Sequence, residues 1–482
     1  MSLKVGKNAL VNIVGVVLPS LVGIVALRFL LDSLGQSAMG VFTLALGLVG
    51  ISGILDFGLS RGITRYVAHA CAAAIEWRHV SAVLARCIAL LCAIGVVVGG
   101  LIWLAVPHLT QWLRCEDASL CGETVGGFRW IGLSIPFALM SSGILSMLEG
   151  RQEFVKVNLV KVPVGFLVFI VPALVAGYTH SLSWTLSALA GVRILGFLLC
   201  MTMAPFAFRD FLLAGKEGEL RRLLAFSGWL SVSNVISPFL VYGDRFYLAS
   251  VVPAGTMALY TVPFDAAYRG TALPLAGLNA VFPALTQAGA LGANRARLFA
   301  RAREALFLFW LYPLAIGCLL GKEILTLWLG VSFADQGWRL FQVVIGGVCL
   351  NGLAHLAVAM LHADGRSDLT AKFHVGELLP YGVLVVLLVG RYGVLGAAMA
   401  WSLRVMADFL LLCLAVGFRR IVGWDDLVKL VMPSMAIVAT VLVVGGADNW
   451  MARLAISVAI ALLGLLTFAR MLALSRPVWK GR

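Results

Sequence analysis

The chain has 482 residues, 61% of them hydrophobic and only 12% charged, with a mean hydropathy of +0.98. A soluble protein of this length is nearer half apolar and a quarter charged, so this composition excludes a cytosolic enzyme, a nucleic-acid binder and a secreted scaffold. The formal charge of +14 falls in short basic clusters between apolar runs, which is the pattern of cytoplasmic loops and not of a nucleic-acid footprint.

The N-terminal MSLKVGKNAL places two lysines before a long apolar run with no small-residue cleavage site, and reads as a retained first helix. A bilayer core of about 30 Å takes about 20 apolar residues per helix. Stretches that meet this lie at 8–31, 38–60, 80–106, 128–149, 157–178, 183–206, 223–250, 256–284, 299–320, 338–362, 370–389, 393–416, 428–446 and 451–472. The expected fold is therefore an all-α polytopic membrane protein of about fourteen spans. Prolines 19, 238, 263 and 274 predict kinks inside four of them.

Orientation follows from Lys and Arg. With the N-terminus inside, the inner segments carry Lys4 and Lys7; Arg61, Arg65, Arg78 and Arg86; Arg151, Lys156 and Lys161; Arg209, Lys216, Arg221 and Arg222. The same side then takes Arg295, Arg297, Arg301 and Arg303; Arg366 and Lys372; Arg419, Arg420 and Lys429; and Arg470, Arg476, Lys480 and Arg482. The outer segments hold only Arg114, Arg129, Lys322, Arg339, Arg391 and Arg453. The positive-inside rule thus predicts that both termini are cytoplasmic. In the longest outer loop, 107–127, Cys115 and Cys121 stand beside Glu116, Asp117 and Glu123, and read either as a periplasmic disulfide or as two free thiols. The other cysteines are mostly in apolar runs, and no CxxC, HExxH or Cys/His cluster predicts a metal site.

Span 7 onward resembles span 1 onward. Arg28 in ALRFLLDSLG corresponds to Arg245 in YGDRFYLASV, and Phe42 in MGVFTLAL to Tyr260 in MALYTVPF. A chance match and a shared loop composition are the alternatives to a true repeat. A repeat displaced by six spans keeps its orientation, which predicts two six-helix lobes (1–215 and 216–420) about an axis along the membrane normal, with 421–482 adding two helices and a tail.

Five basic residues lie inside spans: Arg28, Arg193, Arg245, Arg269 and Arg404. Each would cost about 2.5–3.5 kcal/mol at the bilayer centre unless hidden in a bundle or wet cavity. On span 7, Ser227, Ser231, Asn234, Pro238, Tyr242 and Arg245 form one polar stripe, read as a cavity face or as a helix–helix interface glued by small polar groups. Asp265 and Arg269 on span 8, like Arg404 and Asp408 on span 12, stand one turn apart and either neutralise one another or serve a site. Arg28 falls nearly opposite its helix's polar face and is expected to snorkel outward. Asn351, His355 and His362 share a face of span 10, where a buried histidine is more often structural. Glu377 and Arg193 have no evident local partner, and Glu377 reads as a protonatable group.

The stretch from Asn8 to Ala70, with ALRFLLDSLGQSAMGVF and ILDFGLSRGITRYVA, resembles bacterial polysaccharide exporters of the oligosaccharidyl-lipid flippase type, within the multidrug/oligosaccharidyl-lipid/polysaccharide exporter superfamily. The resemblance implies a central cavity that alternates between the membrane faces and a substrate of undecaprenyl-diphosphate-linked sugars, such as an O-antigen or exopolysaccharide repeat unit. Asp56, Arg61 and Arg65 in the DFGLSRGITR piece would then form a cytoplasmic gate, or simply a helix end with inside anchors. A diphosphate needs a cationic cavity, which arginine's planar fork suits. Substrate-binding candidates are accordingly Arg245, Arg269, Arg28, Arg193, Arg404, Asn234 and Tyr242, with Arg245 and Arg269 as a phosphate-binding pair and Asp265 holding Arg269 in the empty state.

Three functions compete. A lipid-linked oligosaccharide flippase of the inner membrane stands first. A proton- or sodium-coupled multidrug exporter, with Glu377, Asp265 and Asp408 as ion-coupling groups, stands second. A membrane-embedded glycan ligase or polymerase stands last, because its catalytic residues would need a larger outer loop. The expectation is a non-enzyme with no catalytic residues, no metal and no cofactor beyond a coupling ion. Its partners would be the lipid-linked glycan, membrane lipids and other polysaccharide-assembly proteins, and no nucleic acid. The two-lobed cavity would be complete in a monomer.

Overall fold

A computed structural model describes residues 2–52, 56, 58–73, 75–112, 118–204, 236–272, 274–275, 293–364, 366–417 and 457–458. Among them every regular element is a helix. In chain order these are α1 (Ser2–Ser52), α2 (Leu59–Ala72), α3 (Trp77–Trp112), α4 (Ala118–Gly150), α5 (Phe154–Thr179), α6 (Leu182–Met203), α7 (236–251), α8 (Ala254–Arg269), α9 (Ala293–Leu329), α10 (Val331–Ala363), α11 (Ser367–Tyr392) and α12 (Val394–Val416). Nine of the described helical stretches are long and apolar enough to cross a membrane. The chain is a multi-pass membrane protein. Spans 13 and 14, and Cys115, lie outside the described residues.

Two differences from the sequence reading have simple causes. First, spans 1 and 2 run together as α1, broken only at Gly35, whose φ of 78° and ψ of 169° no side-chain-bearing residue adopts readily. Second, stretches read as loops are helical. Arg61 and Arg65 lie on α2, Arg78 on α3, and Arg295 and Arg297 on α9, while of the outer loop expected at 107–127 residues 107–112 belong to α3 and 118–127 to α4. Ala, Leu and Arg all favour helix, so the helices run on past the apolar core. At 36 residues α3 is about 54 Å long, well beyond a bilayer's hydrocarbon.

Five breaks among the described residues take only one or two residues: Gly35 within α1, His180–Ser181 between α5 and α6, 252–253 between α7 and α8, Gly330 between α9 and α10, and Gly393 between α11 and α12. The α4–α5 connection carries charge instead. Glu153 bonds Lys156 at 2.7 Å and Arg151 at 2.8 Å, and Lys161 bonds Glu149 at 2.7 Å. The Lys156 bond, followed by the fields of Arg151 and Lys156, holds Glu153 below the ordinary glutamate value of 4.5 against a smaller opposing effect of burial.

The chain divides into two compact units, Met1–Val262 and Pro263–Arg482, with the boundary inside α8. In the first, α2 buries Leu59, Ile63, Val67 and Ala70 against Leu84, Ile88 and Leu91 of α3 and Ile144 and Met147 of α4. Steps of four, four and three put those residues on one face, with Arg65 and His69 exposed on the other. α3 and α4 approach closely because glycines meet backbone: Gly99 and Gly132 pack on one another, and Gly95 packs on Pro136. In the second unit, Leu306, Leu356, Ala357, Leu361, Leu412 and Cys413 form a comparable core. Exposed Leu104, Val155, Leu327 and Leu379 would cost solubility in water and are at home in lipid.

Candidate functional site

The intramembrane charges resolve into two buried groups, one in each unit. In the first, α7 supplies Tyr242, Asp244 and Arg245. Arg245 is fully buried; its Nη1 donates to the Thr43 carbonyl of α1 at 3.1 Å and its guanidinium lies 4.8 Å from the Tyr242 ring centre. Beside it, Tyr260 of α8 donates its hydroxyl to Asp244 Oδ2 at 2.6 Å. The described part of the sequence-predicted stripe thus faces helix α1. Asn234 lies outside the described residues.

The second group is built by α10, α11 and α12. Arg404 Nη1 donates to Glu377 Oε2 at 3.2 Å, with both side chains more than nine-tenths buried. Glu377 therefore has its partner on the next helix, a pairing that spacing within one helix cannot reveal. The Glu377 carboxyl also faces that of Asp408, and Asp408 lies close enough to His355 and His374 to act on both electrostatically. Tyr381 and Trp401 stack beside the guanidinium, with ring centres 5.7 and 5.9 Å from it. His374 and Tyr381 were not singled out from the sequence. They lie three residues before and four after Glu377, so the face spacing that located the stripe on α7 would have found them.

Glu377 Oε1, Arg404 Nε, Asp408 Oδ1, His355 Nε2 and His374 Nδ1 are buried with no hydrogen-bond partner. A buried polar group without a partner is costly. Two carboxylates against one guanidinium leave a formal charge of −1 with neutral histidines. One proton or one monovalent cation would balance it.

The other predicted residues are dispersed. Arg28 is about a third exposed and its Nε bonds Asp32 Oδ2 at 2.6 Å, one turn further along α1. Arg193 Nη1 reaches Ser134 Oγ of α4 at 3.3 Å. Asp265 is buried on α8 and Arg269 half-buried in its last turn, in the second unit, whereas Arg245 belongs to the first. Asp56 is buried and accepts the Gly58 amide at 2.8 Å, while its carbonyl accepts the Leu59 amide at 2.9 Å, so it orders the start of α2. Arg65 is exposed on that helix. His362 bonds Thr370 at 3.2 Å. Among the described residues no group of three His, Cys, Asp or Glu is arranged to hold a metal ion.

A chain whose described elements are all helices, with charged side chains buried on its apolar spans, has solved counterparts among transporters. The lipid II flippase MurJ in an inward closed conformation superposes with a TM-score of 0.73 at 13% identity, covering 96% of this chain and 100% of that one. An inward-facing multidrug resistance transporter of the MATE family, within the MOP superfamily, superposes with a TM-score of 0.70 at 13% identity, covering 90% and 99%. The fold is that of these transporters. The family model for polysaccharide biosynthesis proteins matches residues 5–288. The presumed O-antigen transporter of Shigella flexneri is 30% identical over 409 residues, covering 84% of this chain and 96% of its own. The chain belongs to the polysaccharide biosynthesis protein family and is a membrane transporter of that family.

Proposed function

We propose that this protein is a flippase that moves undecaprenyl-diphosphate-linked oligosaccharide, an O-antigen or exopolysaccharide repeat unit, across the bacterial inner membrane by alternating access through a cationic central path. The observation that carries this reading is the 30% identity, over nearly the full length of both chains, to a presumed O-antigen transporter. The preponderance of arginine among the intramembrane charges supports an anionic cargo. In this reading the chain has fourteen spans, two six-helix lobes with pseudo-two-fold symmetry, two added helices and both termini in the cytoplasm. Arg245 and Arg269 each contribute to phosphate binding. Arg28, Arg193, Asn234 and Tyr242 line the route, and Asp56, Arg61 and Arg65 border its cytoplasmic end. Membrane lipids surround it, other assembly proteins act on its product, and one chain suffices for transport.

Coupling belongs to the second unit's cluster. Glu377 and Asp408, with Asp265 as a further candidate on α8, would bind one proton or sodium ion per cycle. The guanidinium of Arg404 already occupies the place of a fixed cation, which favours the proton. A strain lacking the gene should accumulate lipid-linked oligosaccharide on the inner leaflet and lose surface glycan, and the wild-type gene should restore both. The buried carboxylates also suit a cation-coupled drug exporter. Normal surface glycan together with lost dye efflux in the null strain would select that second reading and reject the first.

A further inference from the structure

Along the first half of α1, Leu21, Val25, Arg28 and Asp32 follow one another at steps of four, three and four, so they form one row on the helix surface. Every member of that row is at least partly exposed, while Leu27, Leu30 and Leu31 behind it are buried. The helix beside it in the first unit is α5, which runs parallel to it. A Cβ on Gly165 would touch Pro19 at 3.3 Å, one on Gly177 would press on Phe29 at 2.8 Å, and His180 Nδ1 donates to the Ser33 carbonyl at 2.9 Å. The turns at Gly35 and His180 therefore lie together at one end of the pair.

Between the two helices lies a groove of about 410 Å³ lined by apolar side chains, a volume within the range of small-ligand sites, about 300–1,000 Å³. Its floor is Ala26 of α1 and Ala173 of α5, both buried, and its walls are Leu21, Val25, Phe29 and Leu174, all exposed. Small residues between large ones make a channel where two leucine-rich helices would otherwise present a flat face. From Leu21 to Phe29 the channel runs about 12 Å along the helix, comparable with the hydrocarbon depth of one leaflet, about 15 Å. At its end toward Gly35 stand the two charges of the row. Arg28 Nε bonds Asp32 Oδ2 at 2.6 Å, and the side chains are 37% and 54% exposed, so both can be reached from outside the protein.

We propose that the α1–α5 groove holds one acyl chain of a phosphatidylethanolamine molecule from the leaflet on the side of the Gly35 turn, with its head on Arg28 and Asp32. The apolar channel alone would accept the tail of any lipid; the charge pair selects the head. A guanidinium donates to a phosphate, and the carboxylate one turn further on accepts from a primary ammonium. The order also matches. In the lipid the ammonium lies beyond the phosphate, away from the tails, and on α1 Asp32 lies beyond Arg28, away from the groove. Binding exchanges the Arg28–Asp32 bond for two bonds to the head with no change in net charge. A phosphatidylglycerol head brings no cation for Asp32, and a phosphatidylcholine head brings one with no N–H to donate. Arg28 then stands at the lipid edge of the transport route, and the inference holds whatever cargo that route carries.

The test uses the full-length chain, purified in detergent, stripped of lipid and titrated with phosphatidylethanolamine, phosphatidylglycerol or phosphatidylcholine of identical chains, the bound lipid being counted by native mass spectrometry. One phosphatidylethanolamine per chain should be retained with about tenfold preference over the other two heads. Asp32→Asn should remove that preference, and Arg28→Gln should weaken phosphatidylethanolamine and phosphatidylglycerol alike. Ala173→Leu fills the floor of the groove and should lower retention of phosphatidylethanolamine about tenfold. If that variant does not fold, Val25→Trp, at an exposed wall, covers the channel in its place. Equal retention of the three lipids overturns the proposal, as does a preference unchanged in Asp32→Asn or a bound lipid indifferent to the filled groove. A lipid-free dimer that Ala173→Leu dissociates would assign the groove to a second copy of the chain and overturn the proposal equally.

Discussion

The two units each bury an arginine inside the membrane and treat it in opposite ways. Arg245 of the first unit donates to a carbonyl and lies on an aromatic ring, beside a carboxylate already held by a tyrosine. Arg404 of the second unit shares two carboxyls and two nearby histidines, and five buried polar atoms of that group go without partners. In the first arrangement Arg245 Nη1 and Asp244 Oδ2 have named partners, although Asp244 Oδ1 is buried without one. In the second, two carboxyls share one guanidinium, and a proton or a monovalent cation would balance the charge. The difference teaches that a buried charge does not by itself announce a binding site; the state of its surroundings decides whether it holds helices together or takes part in chemistry.

The strongest attack on this contrast is Arg404→Ala, which leaves two buried carboxyls without their cation and should cost about 3–5 kcal/mol, read as a large fall in thermal midpoint of the purified protein. Arg404→Ala combined with Glu377→Ala should recover much of that loss, and an additive double variant would show that the pair is not coupled. Next, Arg245→Ala should nearly abolish glycan export while Arg245→Lys retains part of it, because the charge survives and the planar fork does not. Arg28→Ala, whose side chain is partly exposed and bonded to Asp32 one turn along, should be mild. Equal and total loss at both arginines, with normal expression, would erase the distinction between them.

Smaller effects sharpen it further. Tyr260→Phe removes the hydroxyl that Asp244 accepts from and should destabilise the first unit by about 1–3 kcal/mol, with no change in the pH dependence of export. Asp408→Asn should do the reverse, shifting the pH profile of export more than stability. Smallest is Glu153. Its folded-state value is lowered, so its contribution is present above the ordinary glutamate value of 4.5 and is lost as pH falls through the lowered one. Because its partners are partly exposed, the effect should be about 0.5 kcal/mol or less, measured as the difference in acid unfolding between wild type and Glu153→Gln.

Sequence reading served best where one helix carries the whole signal. Apolar run length located the apolar parts of α3 to α6 and α9 to α12 but not their polar ends, such as 118–127 of α4 and 331–337 of α10, and the i,i+3/i+4 stripe placed Tyr242 and Arg245 on one face of α7. It served less well wherever two helices had to be brought together. Glu377 has no Lys or Arg within a turn of its own helix, and its partner Arg404 is twenty-seven residues away; a histidine such as His374 looks ordinary until Asp408 of another helix approaches it. Hydropathy also ends a span where apolarity ends, although helix propensity does not stop there, so α2 and the first turns of α9 were read as loops. That Thr43 and Thr261, each next to a residue matched between spans 2 and 8, touch one another is visible only in the structure.

The brief turns at Gly35, His180–Ser181, 252–253, Gly330 and Gly393 have an outcome for anything that approaches them from water. A protease needs several residues of unfolded backbone, and an antibody needs a raised contour. Turns of one or two residues offer neither. Cleavage by proteases added to intact spheroplasts should therefore spare all five, and a reporter epitope inserted into any of them would have to supply its own tether to be recognised. Among the described residues, amphipathic α2 and the charged 149–161 stretch are the larger connections that give other molecules something to hold.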